Sequence, residues 1–362
     1  MNQNELKMQK ERRTGLRMGV IIILVAMIVA TVTSCIDQPD YGKDPHDIYG
    51  NFDALADIVG SHYCYFEEKG VDWDALCREY RAKITPKTTE IDLFFILSDM
   101  LYNLKDGHVN LVSDFTTSYY KKWWSDYPQD FNKRTLDEHY LGFGGLQTSG
   151  MRYGIMTEDS IGYIYYPTFS TPVGELNLDY VLAILKPTKG LIIDIRDNGG
   201  GLLDNVPTFV SRFIDERRCG GYIIHKTGGG KDEFSEPYAF YYEPCPDYRV
   251  SYLGKPIAVL TNRSCYSAAN NFVAIMKSLP QVEIIGAKTG GGGGLPFTSE
   301  LPNGWAIRFS ASPILGPHGE TTEMGVDPSE GCEVHCTEEE LAAGKDAILE
   351  FALKRLIAKT NQ

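Results

Sequence analysis

Ser267 occupies a position from which a serine hydroxyl can act as a nucleophile. The apolar run Ile257 to Leu260 suits a buried strand, and from Ala269 the apolar residues recur at Phe272, Val273 and Met276 with helical spacing. Ser267 therefore stands at a strand-to-helix turn, where backbone N–H groups at the positive end of a helix are available to a developing oxyanion. Acyl transfer needs such a setting. Serine is also a preferred N-cap residue, and most serines before a helix only satisfy the first helical donors, so the turn alone does not make Ser267 a nucleophile. Cys265 is a rival nucleophile on the same turn. His108 is a candidate general base: it follows Asp106-Gly107, where a helical segment stops, and a side chain there can reach across to another element. An isolated loop histidine is more often simply solvated.

A further candidate is the stretch Lys189-Gly-Leu-Ile-Ile-Asp-Ile-Arg-Asp-Asn-Gly-Gly-Gly201, a strongly apolar strand that runs into a polar turn and three glycines. Glycines after a strand allow close backbone approach and present N–H groups to a ligand. No Gly-Lys-Ser/Thr follows, which disfavours a phosphate loop. Gly286-Ala-Lys-Thr-Gly-Gly-Gly-Gly-Gly294 is too flexible to hold a shape without its surroundings. Cys332, His335 and Cys336 lie close together without a second ligand pair, so neither a zinc site nor any other metal is expected.

The elements that must position these groups follow from periodicity. Helical spacing runs from Tyr49 to about Leu104: Asn51 is placed to cap a helix through Phe66, Trp73 to Ile84 forms a second, and Thr89 with Asp92 opens a third. Residues 114 to 140 are irregular and rich in Tyr, Trp and Lys, suited either to walling a groove or to covering the core. Short strands then appear at Arg152 to Met156, Ile161 to Tyr166, Tyr222 to His225 and Val282 to Ile285, with a helix from about Leu176 to Leu185. Pro302-Asn-Gly304 between Phe297–Leu301 and Trp305–Ser310 is a hairpin signal. The chain ends in a helical region opened by Thr337-x-x-Glu340, with Leu349, Ala352, Leu353 and Leu356 on one face.

The N-terminus is of a different kind. Lys7, Lys10, Arg12, Arg13 and Arg17 precede an apolar run of 15 residues, Met18 to Val32, the length of a signal-peptide core and short for a membrane span. Val32-Thr33-Ser34-Cys35 resembles a bacterial lipobox, which implies that Cys35 becomes a lipidated first residue; the alternative is an uncleaved anchor. Either way the body is expected outside the cytoplasm, in the cell envelope, on the periplasmic or cell-surface side. Taking 5 basic and 2 acidic residues from totals of 35 and 48 leaves 30 against 46, a net charge near −16. Phosphate backbones would repel such a body, so nucleic acid is not an expected partner. Seven cysteines remain beyond Cys35, which leaves an odd thiol in a monomer.

Four separated blocks resemble the S41 serine peptidases, the family of C-terminal processing (tail-specific) proteases and the tricorn core protease. They are Asp106-Gly-His108, the Asp194-x-Arg-x-Asn-x-Gly-Gly201 loop, Ser267-Ala-Ala, and Gly325-Val-Asp-Pro328, in the family's order. The resemblance implies an α/β fold, a crotonase/ClpP-like peptidase core over residues 136–362. Before it come a small helical N-terminal domain over 46–135, a tether over 35–45 and a signal peptide over 1–34, with no clear PDZ domain. Tail-specific members pair the serine with a lysine, but matching Gly286 and Thr289 puts Gly292 where that lysine belongs, and Lys288 would need a different loop path. Tricorn-like members use a histidine base supported by a glutamate, and His108 and Glu323 stand at the matching positions, with Glu320 as a fallback for Glu323. The roles implied are Ser267 as nucleophile, His108 as base, Glu323 as its support, directly or through another hydroxyl, and Gly200 and Ala268 N–H as the oxyanion hole. The substrate implied is a peptide or protein, with no metal or organic cofactor. A non-catalytic binder of hydrophobic ligands or peptides on the same fold, or a carboxyl-ester hydrolase, are the alternatives.

Overall fold

The computed structural model describes residues 44–142, 145–156 and 161–360. The segment read as a signal peptide, Cys35 and most of the segment read as a tether lie outside the described residues. The chain enters through three helices, α1 (Ile48–His62), α2 (Trp73–Arg81) and α3 (Glu90–Tyr102). Thr89 caps α3 with the expected capping box, its hydroxyl accepting from Asp92 N while the Asp92 carboxylate accepts from Thr89 N. Asp72 caps α2. Asn51 does not cap α1. It lies buried within the helix, where its amide donates to Pro45 O and Asp47 O and its Oδ1 accepts from Asn303 N, which ties α1 to a distant turn.

After α3 the chain forms two short strands, β1 (Asn110–Val112) and β2 (Thr117–Tyr119), then β3 (Leu146–Thr148), β4 (Met151–Ile155) and β5 (Ile161–Tyr165). Helix α4 (Glu175–Leu185) leads to β6 (Gly190–Asp194), and α5 (Asn205–Val210) to β7 (Arg218–Ile223) and β8 (Tyr238–Tyr242). Strand β9 (Ile257–Thr261), helix α6 (Ala268–Lys277) and β10 (Val282–Gly286) follow. The hairpin β11 (Gly294–Glu300) and β12 (Ala306–Leu315) precedes α7 (Glu338–Ala342) and α8 (Ala347–Thr360).

Two sheets result. The first has the order β10-β9-β6-β5-β4-β3, with β5, β6, β9 and β10 parallel. Strands β5, β6 and β9 are buried at every residue, as continuous apolar runs covered on both faces should be. One face meets α4, α5 and α6 through Ile164, Leu191, Ile193 and Val259; the other meets α8 through Tyr163, Ile192, Leu260 and Leu349. Each such aliphatic side chain contributes about 1.5–3 kcal/mol on burial. The second sheet is antiparallel, β2-β1-β12-β7-β8, with β11 on β12. Its β1 and β2 come from the segment read as a separate helical domain, yet β1 pairs with β12 in register Asn110↔Arg308. Residues Pro45–Gln362 accordingly cluster as one compact unit, without a domain boundary at 135/136. On one side β1 pairs with its neighbour β2, and on the other its backbone hydrogen bonds are satisfied by β12, a strand near the other end of the chain.

Candidate active site

The turn between β9 and α6 holds Ser267 at φ 57° and ψ −120°, a left-handed conformation unusual for a residue with a side chain and worth about 1–3 kcal/mol of strain. Ser267 N donates to Gly291 O at 2.8 Å and Ser267 O accepts from Asn271 N at 3.0 Å, which holds the turn. The hydroxyl caps nothing. It lies 3.1 Å from Nε2 of His108, and Nδ1 of His108 lies 3.2 Å from the Ser310 hydroxyl. For Nε2 to accept from Ser267, the proton must be on Nδ1 and be donated to Ser310 Oγ. His108 is only 5% exposed and Ser310 fully buried.

His108 is fixed from its own loop. Asp106 Oδ1 accepts from His108 N at 2.8 Å and from the Tyr266 hydroxyl at 3.2 Å. The Tyr266 ring packs on His108 and stacks on Trp123 at 4.1 Å, so the aromatic stretch after β2 covers this side of the site. Burial lowers the His108 pKa to about 4; Asp106 opposes that shift, and the charges of Arg308 and Lys69 add to it. The imidazole is therefore neutral at physiological pH and able to accept a proton. Burial works against the Asp106 carboxylate, but Lys69 and His108 outweigh it and hold its pKa below the ordinary range.

Glu323 does not touch the imidazole. Its Oε1 pairs with Lys69 Nζ at 2.7 Å and its Oε2 accepts from Gly293 N at 2.9 Å, with both side chains almost fully buried. Burial and the neighbouring Asp106 charge push its pKa up, against Lys69. Lys69, from the loop between α1 and α2, also donates to Lys105 O at 3.0 Å, and so it couples Glu323 to the loop that carries His108. Glu320 is exposed and caps the 316–320 turn through His318 N, away from His108.

The glycine loop after β6 is built by its polar residues. Arg196 is fully buried in ion pairs with Asp194 and Asp346, and Asn198 accepts from Phe169 N and Gly200 N while donating to Tyr166 O. Gly200 N–H is thereby committed to Asn198 Oδ1 at 3.0 Å, not left for an oxyanion. Gly201 N–H, one residue on, has no acceptor among the described residues, and neither has Ala268 N–H. Both residues line a cleft of about 90 Å³ with Ser267, Leu295 and Arg308. A Cβ on Gly200 would approach Tyr266 O to 2.5 Å, and one on Gly201 would overlap Ser170 N. A larger cavity of about 870 Å³, between residues 63–72 and 224–235, contains none of these groups.

No lysine stands in for His108 among the described residues. Gly292 has φ 78°, and a Cβ there would run into the Tyr266 ring, so the loop has no room for a side chain at that position. Lys288 pairs with Asp327 at 3.1 Å on the surface. The rival nucleophile Cys265 is fully buried, bonded to Ile195 O, and burial drives its thiol pKa far up. His335 pairs with Asp130, while Cys332 and Cys336 lie in the core under α8. The Gly325-Val-Asp-Pro328 block is structural here: Val326 N donates to the Thr289 hydroxyl, which donates to Asn270 on α6.

Residues 160–330 match peptidase family S41, and residues 45–102 match the tricorn protease C1 domain. The carboxy-terminal processing protease CtpA of Bacillus subtilis is 26% identical over 212 residues, which are 56% of this chain and 43% of that protein. The match thus spans less than half of that relative. A crystal structure of a Parabacteroides merdae protein assigned as a peptidase is 44% identical, covers 86% of this chain and 97% of that one, and superposes with a TM-score of 0.81. Mature CPAF in complex with lactacystin shares the fold at 13% identity, with a TM-score of 0.65 over 87% of this chain and 99% of its own.

Proposed function

We propose that this chain, which belongs to peptidase family S41, is a serine peptidase in which Ser267 attacks the peptide carbonyl and His108 is its base. The observation that carries this reading is the 3.1 Å contact between Ser267 Oγ and His108 Nε2 at a strained, non-capping serine. Neutral His108 takes the hydroxyl proton as the tetrahedral intermediate forms and returns it to the leaving amine, and water then releases the acyl group by the same route in reverse. Ser310 Oγ accepts a hydrogen bond from Nδ1–H and so fixes the tautomer. The charge of Asp106 favours the transient imidazolium. The N–H groups of Gly201 and Ala268 stabilise the oxyanion. Glu323 acts one step removed, holding Gly293 and Lys69 in position.

The substrate in this reading is a peptide or protein, and the name of the Bacillus subtilis relative favours cleavage near a carboxyl end. The body works outside the cytoplasm, held to the membrane by lipid on Cys35, a reading that rests on the basic, apolar and small-residue sequence before that cysteine. Incorporation of an alkyne-bearing fatty acid into the wild type and not into Cys35→Ser tests the anchor. Hydrolysis of a quenched-fluorescence peptide library tests the activity: the wild type should cleave and Ser267→Ala should not, whereas cleavage that survives Ser267→Ala would overturn the assignment.

A further inference from the structure

Arg308 is the one arginine among the described residues that is withdrawn from solvent and has neither an ion-pair nor a hydrogen-bond partner for its guanidinium. Arg196, Arg212 and Arg355, which are buried or half-buried, pair with Asp194, Asp179 and Glu283, and Arg152 pairs with Asp137. Arg263 donates to the carbonyls of Trp123 and Thr289. Arg308 is half-buried on β12, two residues before Ser310 and hence on the same face of the strand, and it lines the cleft with Ser267, Ala268 and Gly201. Its cross-strand neighbours are the uncharged Asn110 and Thr298.

Leaving this guanidinium unpaired is costly, because its hydration is reduced and no carboxylate compensates. The chain does not lack acids, with 48 Asp and Glu against 35 Lys and Arg. A compensating anion therefore has to enter with the ligand, and the planar fork of a guanidinium matches a carboxylate with two parallel hydrogen bonds. Resting on the peptidase reading above, we propose that Arg308 is a specificity residue that binds a carboxylate of the peptide substrate beside the bond to be cleaved. The two sources of that group in a peptide are an Asp or Glu side chain and the terminal α-carboxylate. Binding also neutralises a charge that opposes protonation of His108, so an acidic substrate strengthens the base that cleaves it.

Matched peptides test this: Asp against Asn and Glu against Gln at each position around the scissile bond, and a free carboxyl terminus against its amide. Wild type, Arg308→Gln and Arg308→Lys are compared by kcat/KM and, independently of turnover, by protection of Ser267 from a fluorophosphonate probe. The wild type should prefer one carboxylate member by about 10- to 100-fold, the range of a charge-assisted hydrogen bond. Arg308→Gln should abolish that preference and Arg308→Lys retain part of it. Discrimination confined to the Asp and Glu pairs identifies a side-chain carboxylate, and discrimination confined to the terminus identifies the α-carboxylate. Wild type treating every pair alike within about 2-fold, or Arg308→Gln keeping the preference, overturns the proposal. Carboxylate-dependent protection without any cleavage leaves the Arg308 site standing and refutes the peptidase reading instead.

Discussion

Replacing Ser310 by alanine removes the partner of His108 Nδ1, together with a hydroxyl that helps keep the Asp106 carboxylate ionised. Both groups are buried, so water cannot readily take the place of the lost hydroxyl. An unsatisfied buried donor costs about 1–3 kcal/mol, and at about 1.4 kcal/mol per decade this is about a 5- to 150-fold fall in the rate of acylation. The loss also releases the tautomer: with the proton on Nε2, His108 can no longer accept from Ser267. The assay is the second-order rate of fluorophosphonate acylation, with kcat and KM for a cleaved peptide and the Tm of each variant. The fall should appear in kcat with KM little changed, because the hydrogen bond acts on the base and not on the substrate. Ser310→Cys, which keeps a weak acceptor in a site packed closely on Gly294, should fall in between. An Ser310→Ala variant that folds normally and acylates within about 2-fold of wild type would refute the proposed orientation of His108.

Four further outcomes follow from the surroundings of His108, Glu323 and Gly292. His108 has its pKa lowered from 6.5 to about 4, so the acid limb of the acylation rate should lie near the lower value, as followed by a pH-rate profile. Because the unfolded chain takes up that proton at higher pH than the folded one, this histidine makes stability fall as pH drops from 6.5 towards 4, which denaturant melts will register. Lys69→Met strands the buried Glu323 carboxylate without its cation; breaking one side of a buried pair costs about 3–5 kcal/mol, visible as a lowered denaturation midpoint, and a midpoint unchanged from wild type would contradict the pairing. Gly292→Lys in a His108→Ala background should restore no labelling and should lower Tm, since the Tyr266 ring fills the space that side chain needs.

The sequence made part of this site legible because local signals and distant roles coincided. The change from apolar strand to helical spacing marked the Ser267 turn, and the residue types at Asp106-Gly107-His108 marked a loop end that could reach it. Thr89 and Thr337 announced their helices through capping boxes, which depend on residues three apart. Lys69 gave no signal: in Glu67-Glu68-Lys69-Gly70 it reads as a solvated charge, and only the fold brings it against Glu323. Ser310 closed a strand segment, and its inward direction depended on pairing with β1 and β11, which no local pattern specifies. The step from Gly200 to Gly201 turned on which of two adjacent glycine N–H groups Asn198 takes, a matter of backbone dihedrals. Glu323 was read as the support of His108, directly or through another hydroxyl, whereas its carboxylate pairs with Lys69 and Gly293 N, partners that the fold brings from other loops.

The central claim, an activated Ser267–His108 pair, is tested most directly by fluorophosphonate labelling of the wild type, Ser267→Ala and His108→Ala, with the modified residue located by mass spectrometry. The account predicts covalent modification of Ser267 in the wild type, none in Ser267→Ala, and strongly slowed labelling in His108→Ala. A folded wild type that resists the probe, or one that carries it on another residue, would contradict it.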